Sequence, residues 1–389
     1  MPLTDLISNE ILLLKKNGFY RTIPEIDHTR KNFITISGHK LINLSTNDYL
    51  GLSFNKTVIK AAKDAISAYS ASSSSSPLIC GHTKLHADLE KNLCEFKGSY
   101  EKCILYPSGY QANAGIITAV ANISPLKTFI FFDEFSHASI IDGVRASNVK
   151  FTRFKHNNAA RLKNLLEKYS SFENKIIITE GVFSMDGDIA DLANIAAISK
   201  DHGAIMIVDD AHATGTIGIH GGGSPEFHHI KPDILVGTLG KALASSGAFA
   251  LANSLIIDFL INKSRQFIFS TTMPPSSAAA ALASLRIIEK GPAVVAKLQE
   301  KSKFARNYLK NSGLNTLTSS THIIPILVGN EIKALDFEKK LLKNGVFLKA
   351  IRYPAVPKNE ARLRISITAE LPYPLLERAL EKIVAVCKG

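Results

Sequence analysis

Ala204-Ile205-Met206-Ile207-Val208-Asp209-Asp210-Ala211-His212 is the stretch around which the rest of the chain can be arranged. Its five leading apolar residues predict a fully buried strand. The residues that follow, Ala213-Thr214-Gly215, read as a turn. Asp209 therefore emerges at a buried strand end, with His212 close behind. One loop further on, Gly237-Thr238-Leu239-Gly240-Lys241 supplies an amine. A carboxylate, an imidazole and an amine in this order suit a cofactor that forms a Schiff base with lysine.

Outward from that strand, apolar strand candidates alternate with helical patterns. Strands are expected at Lys102–Tyr106, Thr128–Phe132, Lys175–Thr179, Ala204–Val208 and Ile234–Val236. Helices are expected over 84–97, 109–122, 137–146, 159–170 and 191–202. The alternation predicts an α/β fold, a mostly parallel central sheet with helices on both faces. Ligands of such sheets collect at the carboxyl ends of the strands. Before this region, residues 3–17 predict a helix, and residues 33–45 a hairpin with its turn at Ser37 to Lys40. After it, one long helix is expected over 276–311. Strands near 322–328 and 362–368 and helices near 331–344 and 373–387 then predict a small C-terminal α+β domain. The expected organisation is an N-terminal segment 1–45, a large domain 46–290 and a small domain 291–389. The run Ser72 to Ser76 reads either as a flexible linker or as a loop inside the large domain.

The 389 residues are 46% hydrophobic and 21% charged, a globular balance with room for two or three subdomains. No unbroken apolar run approaches the roughly 18 residues of a membrane span. Near the N-terminus, Asp5 and Glu10 precede the short apolar run Ile11 to Leu14, and Lys15-Lys16 follow it. That charge order argues against a signal peptide and for an amphipathic helix. Cys80, Cys94, Cys103 and Cys387 contain no CxxC pair, so no zinc site and no disulfide scaffold is expected, and a reduced, cytoplasmic compartment fits. The net charge of +12 admits a nucleic-acid binder, a plain solvated surface, or a field that attracts an anionic substrate or an acidic carrier protein. The lysines are scattered and form no basic arm.

Further patches lie near strand ends or in loops. They are Asn47-Asp48-Tyr49-Leu50-Gly51-Leu52, Tyr106-Pro107-Ser108-Gly109-Tyr110-Gln111-Ala112-Asn113, Asp133-Glu134-Phe135-Ser136-His137-Ala138-Ser139 and Thr179-Glu180-Gly181-Val182-Phe183-Ser184-Met185-Asp186-Gly187-Asp188. With Asp209–His212 and Lys241, their order resembles that of the α-oxoamine synthases. These are fold-type I pyridoxal-phosphate transferases that condense an amino acid with an acyl thioester and release CO2. Ser270-Thr271-Thr272-Met273-Pro274-Pro275 and Ala350-Ile351-Arg352-Tyr353-Pro354-Ala355-Val356-Pro357 look like the biotin-biosynthesis branch, which joins L-alanine to a pimeloyl thioester. Glycine C-acetyltransferase is the near alternative within the family, and a non-catalytic nucleic-acid binder the alternative outside it.

The resemblance implies a role for each position. Lys241 would carry pyridoxal 5′-phosphate, Asp209 would face its ring nitrogen, and His212 would bond its phenolic oxygen. His137 would stack on the ring and contact the acyl group. Gly109 and Tyr110, opening a helix, would offer N–H groups to the phosphate. Thr238 would bind the same phosphate, and Thr271 that of a neighbouring subunit, implying a homodimer with shared sites. Ser184 and Glu180 would support the ring. Arg352 and Arg21 would hold substrate carboxylates, which a planar guanidinium matches. Asn47 and Ala355 would lie near substrate. The donor would be pimeloyl-CoA or a pimeloyl carrier protein, with no metal, nucleic acid or membrane involved. Four departures stand out. Ala355 replaces a usual threonine, Ser72–Ser76 with Pro77 a glycine-rich loop, and Asn158 an aspartate, while Ala244-Ser245-Ser246 stands where glycines are common.

Overall fold

The computed structural model describes all 389 residues. The chain begins with helix α1 (Leu3–Lys16), strands β1 (His28–Arg30), β2 (Phe33–Ile36) and β3 (His39–Asn43), and helices α2 (Lys56–Tyr69) and α3 (Lys84–Phe96). There follow β4 (Lys102–Tyr106), α4 (Gly109–Ala121), β5 (Thr128–Asp133), α5 (Ala138–Ala146), β6 (Lys150–Phe154), α6 (Ala159–Lys168), β7 (Asn174–Glu180), α7 (Leu192–Asp201) and β8 (Ile205–Asp209). Next come α8 (Ser224–His228), β9 (Ile234–Thr238), β10 (Ala248–Ala252), α9 (Ser254–Lys263), α10 (Arg265–Ile268), α11 (Pro275–Lys290) and α12 (Ala293–Asn311). The chain ends with β11 (Ile323–Gly329), α13 (Glu331–Lys343), β12 (Val346–Phe347), β13 (Ala350–Ile351), β14 (Ala361–Ser366) and α14 (Tyr373–Lys388).

Two compact units result. One comprises Met1–Gly51, Met185–Asp188 and Leu298–Gly389, the other Leu52–Ser184 and Ile189–Lys297. The second unit is built on a seven-stranded sheet of order β4-β10-β9-β8-β7-β5-β6. Strands β5 to β9 run parallel, and β10 alone is reversed, antiparallel to both β4 and β9. Every residue of β5 and β10 is buried, and four of five in β8, as expected of strands covered on both faces. The core gathers Ile104, Ile130, Ile178, Ile207 and Val236 from the strands with Ile116, Ile140 and Ile257 from the helices. Gly237 gives β9 close passage beside β10, since a Cβ there would overlap the Phe249 ring.

The first unit holds a four-stranded sheet, β1-β2-β3-β12, and a three-stranded sheet, β11-β14-β13. The N-terminal hairpin turns at Ser37 and Gly38, both at positive φ, a tighter turn than Ser37 to Lys40. It shares a unit with the C-terminal residues because β3 pairs in parallel with β12, Ile42 opposite Val346. The short segment 185–188 belongs here too. Arg362 ion-pairs with Asp186, and the Gly187 carbonyl accepts from Ser320 N at 3.0 Å and Thr321 Oγ1 at 2.8 Å.

One expectation needs correction, and one pair of alternatives is decided. The single helix over 276–311 is two helices broken at Gly291-Pro292, where proline lacks the N–H a continuing helix requires. Of its two readings, the Ser72–Ser76 run is a loop within the larger unit and not a free linker. Ser73 Oγ donates to Met273 O at 2.8 Å, and Thr272 N donates to Ser75 O at 3.0 Å.

Candidate active site

Asp209 is the last residue of β8, and Asp210 points to the opposite side of the chain, as strand alternation requires. The two carboxylates accordingly have separate partners. Asp209 Oδ1 accepts from Ala211 N at 2.9 Å, and Oδ2 from Asn113 Nδ2 at 2.6 Å. Asp210 is fully buried against Lys97, whose Nζ donates to Asp210 Oδ2 at 2.6 Å, Thr214 Oγ1 at 2.7 Å and Gly222 O at 2.8 Å. Asp210 Oδ1 takes the Ser224 N–H at 3.0 Å and the Ser224 hydroxyl. Burial pushes the Lys97 pKa down while Asp210 holds it up, and all three ammonium protons have acceptors. This ion pair closes the loop after β8, the loop that carries His212.

Lys241 follows the end of β9, and its Nζ lies 2.8 Å from His212 Nε2. Amine, imidazole and carboxylate thus gather at the carboxyl ends of adjacent parallel strands. Glu180 ends β7 in register with Asp209 and accepts the His137 backbone N–H at 2.6 Å. Burial raises the Glu180 pKa well above the carboxylate range, and the Asp209 charge adds to the rise.

His137 is the N-cap of α5 and is solvent-accessible. Its pKa is lowered by the protein around the ring; Asp209 opposes that shift and Lys241 reinforces it. Gly109 and Tyr110 open α4 behind the N-cap Ser108. The first amides of a helix have no intrahelical acceptor and are open to an anion. Open space lies where a Gly109 side chain would be. The Tyr110 hydroxyl hydrogen-bonds Asp142. Thr238 ends β9, and its hydroxyl donates to Gly247 O at 3.1 Å, so serving a phosphate requires it to turn. Ser184 is half-buried, and Thr271 is exposed.

The remaining candidates lie in the first unit. Arg352 is buried. Its Nη1 donates to Gly18 O and, at 3.3 Å, to Tyr20 O, while Nε has no partner. Arg21 is exposed, and its Nη2 donates to Tyr353 O at 2.8 Å. Arg21 and Arg352 are therefore brought together, with the exposed Ala355 in the same loop. Asn47 is exposed and accepts from Tyr49 Oη at 3.0 Å; Arg364 Nη2 lies 3.5 Å from the same phenol.

Asn113, Ser139, Lys97 and Arg364 escape a reading of the sequence alone. Asn113 leaves one trace, a polar residue buried within the apolar run of α4. Lys97 leaves none, because a lysine ending a helix reads as a solvated charge.

The donor set of the second unit fits pyridoxal 5′-phosphate: an amine for the aldehyde, a carboxylate for the ring nitrogen and a helix N-terminus for the phosphate. Comparisons with known proteins agree. The profile of the aminotransferase class I and II family matches residues 39–383. An 8-amino-7-oxononanoate synthase of Geotalea daltonii is 39% identical over 382 residues, 97% of this chain and 96% of that protein. One from Geobacter sulfurreducens is 37% identical over 390 residues, 99% of each. Among solved structures, a lysine-to-alanine variant of a serine palmitoyltransferase from S. paucimobilis with a bound PLP–myriocin aldimine superposes with a TM-score of 0.92 at 29% identity, covering 99% of this chain and 97% of that one. An 8-amino-7-oxononanoate synthase from Francisella tularensis gives 0.76 at 30% identity, covering 90% and 98%.

Proposed function

The chain belongs to the 8-amino-7-oxononanoate synthases, within the class I and II aminotransferase family of pyridoxal-phosphate enzymes, and on that premise we propose that it condenses L-alanine with a pimeloyl thioester. The products are 8-amino-7-oxononanoate, CO2 and the free thiol. The protein is a pyridoxal-phosphate-dependent acyltransferase, an α-oxoamine synthase of biotin biosynthesis. The observation that carries the proposal is the Lys241 amine 2.8 Å from His212 Nε2, beside Asp209 at the end of β8.

Pyridoxal phosphate supplies an electron sink for charge developing at the amino-acid α-carbon. The chain does the rest. Lys241 would hold the aldehyde carbon of the cofactor, and its amine would take the α-proton of alanine. Asp209 keeps a proton on the ring nitrogen, and His212 bonds the phenolic oxygen. The Gly109 and Tyr110 amides and the Thr238 hydroxyl hold the phosphate. Thr271, exposed on its own chain, reaches the phosphate of a second copy, so the working unit is a homodimer. Ser184 bonds near the ring, Glu180 fixes the backbone at His137, and His137 covers the ring and meets the acyl donor. Arg352 holds the alanine carboxylate, Arg21 a further substrate carboxylate, and Asn47 lies on the substrate side. Ala355 offers a methyl group where a threonine hydroxyl is usual. Thiol release with L-alanine plus pimeloyl-CoA, set against glycine plus acetyl-CoA, tests the substrate pair. Faster turnover of the second pair would overturn it.

The unpartnered Nε of Arg352 supports its role, since a carboxylate can complete that edge of the guanidinium. Arg352→Lys keeps the charge and loses the fork. KM for L-alanine is expected to rise roughly 10- to 100-fold, the worth of one charged hydrogen bond. KM for pimeloyl-CoA should stay within about twofold, which steady-state kinetics with each substrate varied will check.

A further inference from the structure

Four side chains form a hydrogen-bonded line from the carboxylate at the end of β8 to the imidazole that caps α5. Its direction is fixed by chemistry. Asp209 can only accept, so the group facing Oδ2 at 2.6 Å is the Asn113 amide nitrogen. The same nitrogen lies 2.9 Å from Ser139 Oγ, which takes its second proton. The Ser139 hydroxyl proton is then free for His137 Nδ1 at 2.8 Å. Independently, the Ser139 backbone N–H donates to His137 Nδ1 at 3.2 Å, the capping bond of α5. Two donors converge on Nδ1, which must therefore carry a lone pair.

We propose that His137 works as a neutral imidazole protonated on Nε2, held in that form by Ser139 and Asn113, and that its Nε2–H donates to the thioester carbonyl oxygen of the acyl donor. The second half rests on the functional reading given above; the first half does not. Asn113 and Ser139 are positioning residues, acting through Asp209 and His137. No proton is transferred in this role. The Nε2–H stabilises the negative charge that builds on the carbonyl oxygen as the new carbon–carbon bond forms.

The surroundings agree. Protonating Nδ1 would set an N–H against the Ser139 N–H and place positive charge at a helix N-terminus, where the dipole opposes it. Of the charged groups facing the ring, Lys241 lowers its basicity, while Asp209 and Asp142 raise it. Glu180 is engaged with the backbone N–H of His137, and the Tyr110 ring meets the imidazole edge-on at 6.4 Å. The protein packed around the ring is the largest cause of the lowering.

Nitrogen-15 NMR of histidine-labelled holoenzyme, with His137→Asn to assign the signal, tests the first half without any acyl substrate. The expected signal is that of the Nε2–H tautomer, with a titration midpoint below the ordinary histidine value. Ser139→Ala removes one donor to Nδ1 and should move the midpoint up by about 0.5–1 pH unit. The acid limb of kcat/KM for pimeloyl-CoA should move with it. Ser139→Thr, which keeps the hydroxyl, should restore both, and it separates the effect from a folding defect. A mixture of tautomers titrating near the ordinary value, unmoved by Ser139→Ala, would overturn the relay. The expected tautomer with no change in kcat/KM for pimeloyl-CoA in Ser139→Ala would overturn the role at the carbonyl oxygen.

Discussion

Lys241→Ala is expected to lower kcat by at least about 10²–10⁴-fold, the usual contribution of a positioned acid–base group, before any loss from cofactor anchoring is added. The size of the effect comes from one amine holding two roles. On the proposed reading it is both the covalent anchor of pyridoxal phosphate and the base that takes the alanine α-proton. On the same reading neither neighbouring histidine replaces it. His212 Nε2 is 2.8 Å from the amine, but the role proposed for its ring is at the phenolic oxygen of the cofactor. His137 accepts at Nδ1 from Ser139 and so presents a donor, not a base. The variant should still bind pyridoxal phosphate through the α4 N-terminus and Asp209, and lose only the absorbance of the lysine-bound form. Steady-state thiol release and a visible spectrum, each compared with the parent enzyme, check the two halves. Retention of most of the activity would remove Lys241 from the mechanism.

The second large effect concerns stability. Lys97→Met leaves Asp210 charged and fully buried without its cation. Breaking one side of a buried pair costs about 3–5 kcal/mol, because the remaining charge stays desolvated. Ser224 and Thr214 still donate to Asp210, so the loss should fall toward the lower end of that range. Replacing both partners, Lys97→Met with Asp210→Asn, removes the orphaned charge and should recover much of the loss. Denaturant midpoints at constant m-value measure both variants. A change within about 0.5 kcal/mol for the single variant, the level of an ordinary surface substitution, would contradict the account of this ion pair.

The sequence made some of these groups legible and hid others for physical reasons. Strands such as β5 and β8 read directly, because burial on both faces leaves an unbroken apolar run. Edge strand β6, Lys-Phe-Thr-Arg-Phe, carries two cations and only one fully buried residue, so it resembles a loop. Strand β10, Ala-Phe-Ala-Leu-Ala, is fully buried yet lacks the β-branched residues that mark a strand. Lys241, Asp209 and His212 were readable because strand ends and glycine-rich loops mark them locally. Asn113 and Lys97 were not, because each acquires its role only when a distant segment closes on it; Ser139 caps a ring two residues away, but its hydroxyl also needs the distant Asn113 to complete the line. Lys97 meets Asp210, Asn113 meets Asp209, and nothing near either residue in sequence announces the partner.

The decarboxylative step separates this account from simple acyl transfer. The most direct measurement supplies L-alanine labelled with carbon-13 at its carboxyl group together with pimeloyl-CoA, and follows labelled CO2 and free thiol in one reaction. One CO2 per thiol, with the label wholly in the gas, is the predicted result. Thiol released without CO2 would mean hydrolysis or plain acyl transfer, and would contradict the proposed condensation.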